Sequence, residues 1–372
     1  MKIPALDLKK QIMPIRAQLE AAIKEVIDNT SFVLGAGVDK FEQDVEEYSG
    51  AKYAIGVSNG TDAISLALLA LGVGPGDGVI CPTFTYYASA GAAANIGARP
   101  VFADIDQDTY NISLKSVEKI LVKKNKLKIK AIIPVHLYGA CAEMEGILKL
   151  AAKYKIKVVE DTAQAFGSQY KGKSAGTWGD CGAVSFYPGK NLGAFGDAGL
   201  ILTNNKAIGR KLKVLRNQGN ENKYYHLVLG RNNRLDTIQA AVLDIKLKYL
   251  DQWNKARQEI AQYYNNNLSG LGIKLPVVPD NSTHIYHQYV LRASGSSKLF
   301  MNYLQSKGID SRVFYPVPLH LQKCFKYLGY KPGDFPQAEA AARQVFTLPI
   351  YPELTKEEKD YIIQSVKEFA HG

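Results

Sequence analysis

Between residues 54 and 160 short apolar runs alternate with helical segments, and this alternation restricts the fold more than any other feature of the chain. Ala54 to Val57 reads as a strand. Thr61-Asp62-Ala63 then opens the helical run ISLALLALGV, which the glycine-rich stretch from Gly72 to Gly76 stops. Val79 to Cys81 reads as a strand and Ala88 to Ile96 as a helix of small residues. Strands follow at Pro100 to Ala103 and Ala131 to Val135, then a helix at Met144 to Tyr154 and a strand at Lys157 to Glu160. A further helix is expected over 14–29. Strands alternating with helices predict an α/β fold with a largely parallel sheet, and such sheets bind ligands beyond the carboxyl ends of their strands.

The pattern changes after about residue 240. One long polar helix is expected from Asp236 to Asn266. Then come Pro276 to Asp280, a strand at Gln288 to Leu291, a helix near Ser297 to Lys307 and a last helix near Thr355 to Phe369. The 372 residues thus divide into a large domain, 1–245, and a smaller C-terminal α/β domain, 246–372.

The apolar fraction of 46% and charged fraction of 22% are those of a globular protein. The 46 basic and 35 acidic residues give a net charge of +11, compatible with an anionic small molecule, nucleic acid or membrane surface. No nucleic-acid module signature is present, and the densest basic run, Lys123 to Lys130, is expected to be a solvated loop. The four cysteines form no Cys-x-x-Cys pair and read as reduced thiols. Met1 to Glu20 lacks a signal-peptide core, and no apolar run reaches the ~18 residues of a membrane span; the expected location is cytoplasmic, with no membrane or nucleic-acid partner. The six histidines are scattered apart from His284 and His287, which are expected to pack at a surface or domain contact, and no metal constellation is visible.

Five segments carry polar chemistry. Lys190 lies in Ser185-Phe186-Tyr187-Pro188-Gly189-Lys190-Asn191-Leu192-Gly193, after the strand-like Ala183 to Ser185. A lysine is nucleophilic when burial keeps its amine neutral, although a loop lysine is ordinarily just solvated. Asp161 falls where a strand ends, placed either to hold a protonated ring nitrogen or to cap the next turn. Asn59-Gly60-Thr61 joins a strand to a helix, a geometry that offers backbone N–H groups to a phosphate and equally suits a plain capped start. Tyr86, within Pro82 to Tyr87, can stack on a flat ring or pack in the core. Gly230-Arg231-Asn232-Asn233-Arg234 can bind phosphate or form a polar loop. The order along the chain joins them: phosphate loop, aromatic, aspartate, lysine.

That order, together with Pro4 to Leu8, Tyr315-Pro316-Val317-Pro318-Leu319-His320 and Leu348-Pro349, resembles the DegT/DnrJ/EryC1/StrS family of nucleotide-sugar aminotransferases over nearly the whole chain. The resemblance implies the aspartate aminotransferase fold (fold type I), with pyridoxal 5′-phosphate as cofactor and its pyridoxamine form as intermediate. It matches Lys190 to the Schiff-base lysine, Asp161 to the partner of the ring nitrogen and Gln164 to the group near the phenolic oxygen. It matches Gly60, Thr61 and Ser185 to the phosphate cradle and Tyr86 to the stacking aromatic. Asn232 matches a phosphate ligand lent by the neighbouring subunit, which implies a homodimer with shared sites. Arg234, Tyr315 and His320 fall where the family contacts substrate.

The resemblance also bears on substrate. Members that aminate carbon 4 usually carry His after the Ser-Phe pair and a Gly-Glu-Gly-Gly ending; here the segment reads Ser-Phe-Tyr-Pro-Gly-Lys, then Gly-Asp-Ala-Gly, with Ala198 in place of the more usual Gly. That looks like the members acting on 3-keto sugars, especially dTDP-3-keto-6-deoxyhexoses, with L-glutamate as donor. A 4-keto or UDP-linked sugar, or a non-catalytic regulatory role, are the alternatives. Relatives that remove hydroxyl groups carry His where this chain has Lys190.

Overall fold

The computed structural model describes residues 1–123, 127–222 and 224–371. Seven strands form one sheet: β1 (Tyr53–Val57), β2 (Asp77–Pro82), β3 (Arg99–Ala103), β4 (Lys128–Ile132), β5 (Lys157–Asp161), β6 (Cys181–Ser185) and β7 (Gly199–Thr203). Their order across the sheet is β1-β7-β6-β5-β4-β2-β3. The pairs from β6 to β3 are parallel, and β7 runs antiparallel to both β6 and β1. The sheet is therefore mixed and mostly parallel, as expected. The strands at 54–57, 79–81, 100–103 and 157–160 fall where the apolar runs placed them. β4 begins at Lys128 rather than Ala131, so the end of the basic run is strand, with Lys130 paired to Asp77 at 3.1 Å. Lys124, Asn125 and Lys126 lie outside the described residues.

Helices cover both faces. The N-terminal pair is α1 (Arg16–Asp28) and α2 (Ala36–Ser49). α3 (Gly60–Ala70) and α4 (Ala88–Asn95) follow β1 and β2, and α5 (Leu114–Val122), α6 (Met144–Tyr154) and α7 (Lys206–Arg216) complete the layers. α3 is apolar nearly all round, with Ala63 to Leu68 buried, because it is wedged between the sheet and α4. One apolar core joins β1, β2, α3 and α4 to Leu319, Phe325, Phe335 and Val345 from the C-terminal part of the chain. Another packs α2 against Val184, Phe186 and Leu200 on the opposite face.

The expected single helix over 236–266 is two: α8 (Thr237–Leu247) and α9 (Leu250–Leu268). No Gly or Pro marks the break. Ala240 and Leu243 of α8 face the α2 core, whereas Ile260, Ala261, Tyr264 and Leu268 of α9 face a separate one. The turn at Lys248 and Tyr249 carries the chain from the first to the second. That second core packs α9 against α10 (Lys298–Ser306), the antiparallel pair β8 (Tyr289–Arg292) and β9 (Val345–Leu348), and α12 (Lys356–His371). α11 (Pro336–Gln344) returns to the sheet core instead. Ile3 also joins the second core and bridges Ile309.

Candidate active site

The sheet delivers its polar groups to one edge. β1, β5 and β6 end at Val57, Asp161 and Ser185, and the loops beyond β1 and β6 meet: a Cβ added to Gly60 would lie 2.6 Å from Cβ of Ser185. Asn59 caps α3 by accepting from Asp62 N at 2.9 Å. The helix ladder begins with Ala63 N on Asn59 O, so the Gly60 and Thr61 N–H groups point beyond the helix beside Ser185. Gly199 keeps the same place narrow, since a Cβ there would meet Asn59 C at 2.4 Å. This is a backbone cradle of the kind that holds phosphate.

Asp161 is buried. Its Oδ2 accepts from Ser89 Oγ at 2.7 Å and its Oδ1 from Ala163 N at 3.2 Å. Gln164 is also buried and fixed at both ends: its Oε1 accepts from Tyr138 N at 2.8 Å and its Nε2 donates to Tyr315 OH at 2.8 Å. The Tyr315 ring lies 6.0 Å from that of Tyr86 and 6.4 Å from that of Phe84. Tyr86 is 58% exposed, so its ring stays open to a ligand. Burial pushes the Tyr315 phenol well above its ordinary range, with a further rise from the Asp161 charge.

Lys190 sits on the loop between β6 and β7. It is partly buried, and desolvation of its amine lowers the pKa to about 8, against the opposing pull of the Asp161 carboxylate. The amine is therefore partly neutral near physiological pH. Lys190 lines a small cavity with Gln164, Ser185, Asn191 and His287. The loop beyond it is held from α8: Gln239 Oε1 accepts from Phe195 N at 2.8 Å, and Lys246 Nζ donates to Gly193 O.

Lys190, Asp161, Gln164, Ser185, Gly60, Thr61, Tyr86 and Tyr315 are thus gathered at one edge. The remaining candidates are not. Asn232 is exposed, and its neighbour Asn233 turns inward to donate to Ser58 Oγ at 3.0 Å. Arg234 donates to Asn217 Oδ1 at 3.0 Å. His320 is buried with both ring nitrogens engaged, by Thr83 Oγ1 at 2.8 Å and Glu339 Oε1 at 3.2 Å. It braces the loop after β2 from behind and presents no free nitrogen to a substrate.

Two groups were not singled out in the sequence. Ser89, on α4, reaches Asp161 only because β2 and β5 share a sheet. His287, expected at a packing contact, lines the Lys190 cavity instead. Its neighbour His284 does pack: it stacks on Tyr286 at 3.9 Å, and burial lowers its pKa to about 3. A lone His before a strand carries no signal that separates the two.

The residues fit pyridoxal phosphate: a depressed amine, a buried carboxylate held by donors, an open aromatic and a glycine-lined N-terminus beside a serine. The profile of the DegT/DnrJ/EryC1/StrS aminotransferase family matches residues 14–367. A "Pleiotropic regulatory protein" of Geobacillus stearothermophilus is 45% identical, with 99% of each chain covered. The dTDP-3-amino-3,6-dideoxy-alpha-D-galactopyranose transaminase of Aneurinibacillus thermoaerophilus is 42% identical, covering 99% of this chain and all (100%) of that one. The crystal structure of S. venezuelae DesV in complex with a ketimine intermediate superposes with a TM-score of 0.96 at 40% identity, over 100% of this chain and 99% of that one.

Proposed function

Because this chain belongs to the DegT/DnrJ/EryC1/StrS aminotransferase family, we propose that it uses pyridoxal 5′-phosphate to move an amino group from L-glutamate onto a nucleotide-linked 3-keto-6-deoxy sugar, with dTDP as the nucleotide. The observation that carries this reading is the Lys190 amine, its pKa brought down to about 8 by burial, within the field of Asp161 and in one cavity with Gln164 and Ser185. Transaminase relatives named for dTDP-3-amino sugars, at 42% and 40% identity, support the substrate class.

Bound pyridoxal phosphate supplies an aldehyde for the amine to react with and a protonated ring that draws electron density from the donor's α-carbon. Lys190 Nζ is the nucleophile that anchors it, and afterwards the base and acid that carries a proton. Asp161, fixed by Ser89 and Ala163, holds the proton on the ring nitrogen. Gln164 supports the phenolic oxygen. Gly60, Thr61 and Ser185 bind the phosphate, Tyr86 covers the ring, and Asn232 reaches the phosphate of the partner subunit's site in a homodimer. Tyr315, whose ring lies 6.0 Å from that of Tyr86, is the proposed sugar contact, with Arg234 more peripheral. Residues 1–245 form the coenzyme domain and 246–372 the smaller domain, and the enzyme works in the cytoplasm.

The test is to record the visible spectrum, add L-glutamate, and then offer 3-keto and 4-keto sugars on dTDP and UDP. A yellow chromophore that bleaches with glutamate and recovers with the 3-keto dTDP sugar is expected. Recovery with the 4-keto isomer alone overturns the substrate assignment, and absence of any chromophore overturns the whole reading. One observation favours a second nucleotide: the UDP-N-acetyl-3-dehydro-alpha-D-glucosamine 3-aminotransferase of Acidithiobacillus ferrooxidans is 40% identical to this chain. A solely regulatory role is disfavoured by the intact Lys190 and Asp161.

A further inference from the structure

His287 has a single tautomer dictated by its neighbours. The Asn191 amide donates from Nδ2 to the Ile285 carbonyl at 3.2 Å and to Asn254 Oδ1 at 2.8 Å. A backbone carbonyl can only accept, so the orientation of that amide is fixed, and Asn191 Oδ1 must be an acceptor. It lies 3.2 Å from His287 Nδ1. The proton therefore resides on Nδ1, and Nε2 carries a lone pair. The ring lines the same cavity as Lys190, Gln164 and Ser185. Burial holds its pKa well below the ordinary value, and the Lys190 and Arg257 charges push it further down, so the ring is neutral. Among the described residues Nε2 has no hydrogen-bond partner.

We infer that His287 is a positioning residue for Lys190: its Nε2, unpartnered among the described residues, accepts a hydrogen bond from the Lys190 amine when the donor substrate has displaced that amine from the coenzyme. The inference rests on Lys190 as the nucleophile. A released lysine has many rotamers and a short path to water. A neutral acceptor anchored from behind by Asn191, itself anchored by α9 through Asn254, confines the amine to the cavity at little cost. An imidazolium there would repel the ammonium form of the amine, and an Nε2–H tautomer would present a donor to an ammonium that can only donate. The Asn191 lock excludes both.

Selective ¹⁵N labelling of histidine in the full-length protein tests this, with the His287 signals assigned by their loss in His287→Gln. In coenzyme-free protein, Nδ1 should show the shift of a protonated nitrogen and Nε2 that of an unprotonated one, without titration between pH 6 and 9. With coenzyme and L-glutamate bound, so that Lys190 is displaced, the Nε2 signal should shift from its coenzyme-free value, and Lys190→Ala should abolish that shift. An Nε2–H tautomer, a ring that titrates in that interval, or an Nε2 shift that is absent or survives in Lys190→Ala overturns the proposal, whatever the substrate proves to be. In the holoenzyme, His287→Asn retains a donor for Asn191 but loses the distal acceptor. It should slow the glutamate half-reaction about tenfold, the worth of one hydrogen bond, with donor KM unchanged. His287→Gln, whose amide oxygen reaches the distal position, should recover most of the rate. Equal rates for the Asn variant and the native enzyme also overturn it, provided thermal melts show both folded.

Discussion

Ser89 Oγ donates to Asp161 Oδ2 at 2.7 Å, tying the first turn of α4 to the end of β5. The carboxylate is buried, and among the described residues its other oxygen has only the Ala163 N–H at 3.2 Å. Two short-chain groups from separate strand–helix units thus define where a negative charge sits.

Ser89→Ala should weaken coenzyme binding without unfolding the protein. A hydrogen bond to a charged group is worth about 1.5–3 kcal/mol, so affinity for pyridoxal phosphate is expected to fall about tenfold or more. Absorbance titration of the coenzyme-free variant measures this, with circular dichroism as the check on folding. Unchanged affinity would show that Asp161 needs no such support.

Gly60→Ala should damage the phosphate cradle directly. The new methyl would lie 2.6 Å from Ser185 Cβ and 3.2 Å from its Oγ, so Ser185 or the start of α3 must move. A drop of roughly tenfold to a hundredfold in coenzyme affinity is expected, of the size that a displaced contact brings. Added inorganic phosphate should compete less well for the variant than for the native protein, which separates loss of the cradle from loss of the lysine.

Lys246 should govern part of the alkaline stability profile. It is 1% exposed, and desolvation lowers its pKa to about 8, a fall opposed by the Glu353 charge. Below pH 8 the amine is charged in folded and unfolded chains alike, and its burial subtracts from stability. Between the folded value and the ordinary 10.5, the unfolded chain binds a proton that the folded one lacks, so stability rises with pH. The rise from pH 8 to 9.5 should be about 2 kcal/mol. Urea unfolding of the native protein and Lys246→Met across that interval isolates it: the variant should lack this increment, while the opposing contribution of the buried Cys81, Cys141 and Cys181 thiols, whose pKa values burial raises, is present in both and cancels in the difference. Parallel profiles would assign the neutral state to another group.

Lys190→Ala and Asn232→Ala should each be inactive alone and complement when mixed. If Asn232 serves the partner's site, a hybrid dimer has one site carrying both changes and one carrying neither. Random reassortment makes half the dimers hybrid, so about a quarter of native activity should return. No recovery after subunit exchange, verified by tagged pull-down, would place Asn232 in its own protomer's site.

The strands that end at Val57, Pro82 and Asp161 were legible because each is a short apolar run closed by a turn signal. Asp161 and the Asn59-Gly60-Thr61 turn could be placed at strand ends by counting. The direction of β7 could not be read, since the run Leu200-Ile201-Leu202 at its centre looks alike whichever way it runs. The break between α8 and α9 was hidden because its cause is two separate cores rather than a local breaker. Ser89, His287 and the burial of His320 depend on pairings between segments far apart in sequence. The His320 bond to Thr83 spans 237 positions, and no local pattern encodes a contact of that kind.

β7 has one more consequence. Between β1 and β2, β2 and β3, β3 and β4, and β4 and β5 a helix returns the chain to the opposite edge before the next strand starts, and between β5 and β6 a small hairpin at 169–174 lies on the way. Between β6 and β7 the chain turns straight back, and Ser185 and Gly199 face each other as paired residues. The segment bearing Lys190 is therefore slung from two adjacent posts, like a hammock whose hooks cannot drift apart. Any residue added to or removed from 186–198 must therefore be absorbed within the same segment that aims the amine. Substitutions in loops fixed to other strands leave the length of that sling, and so the reach of the amine, untouched.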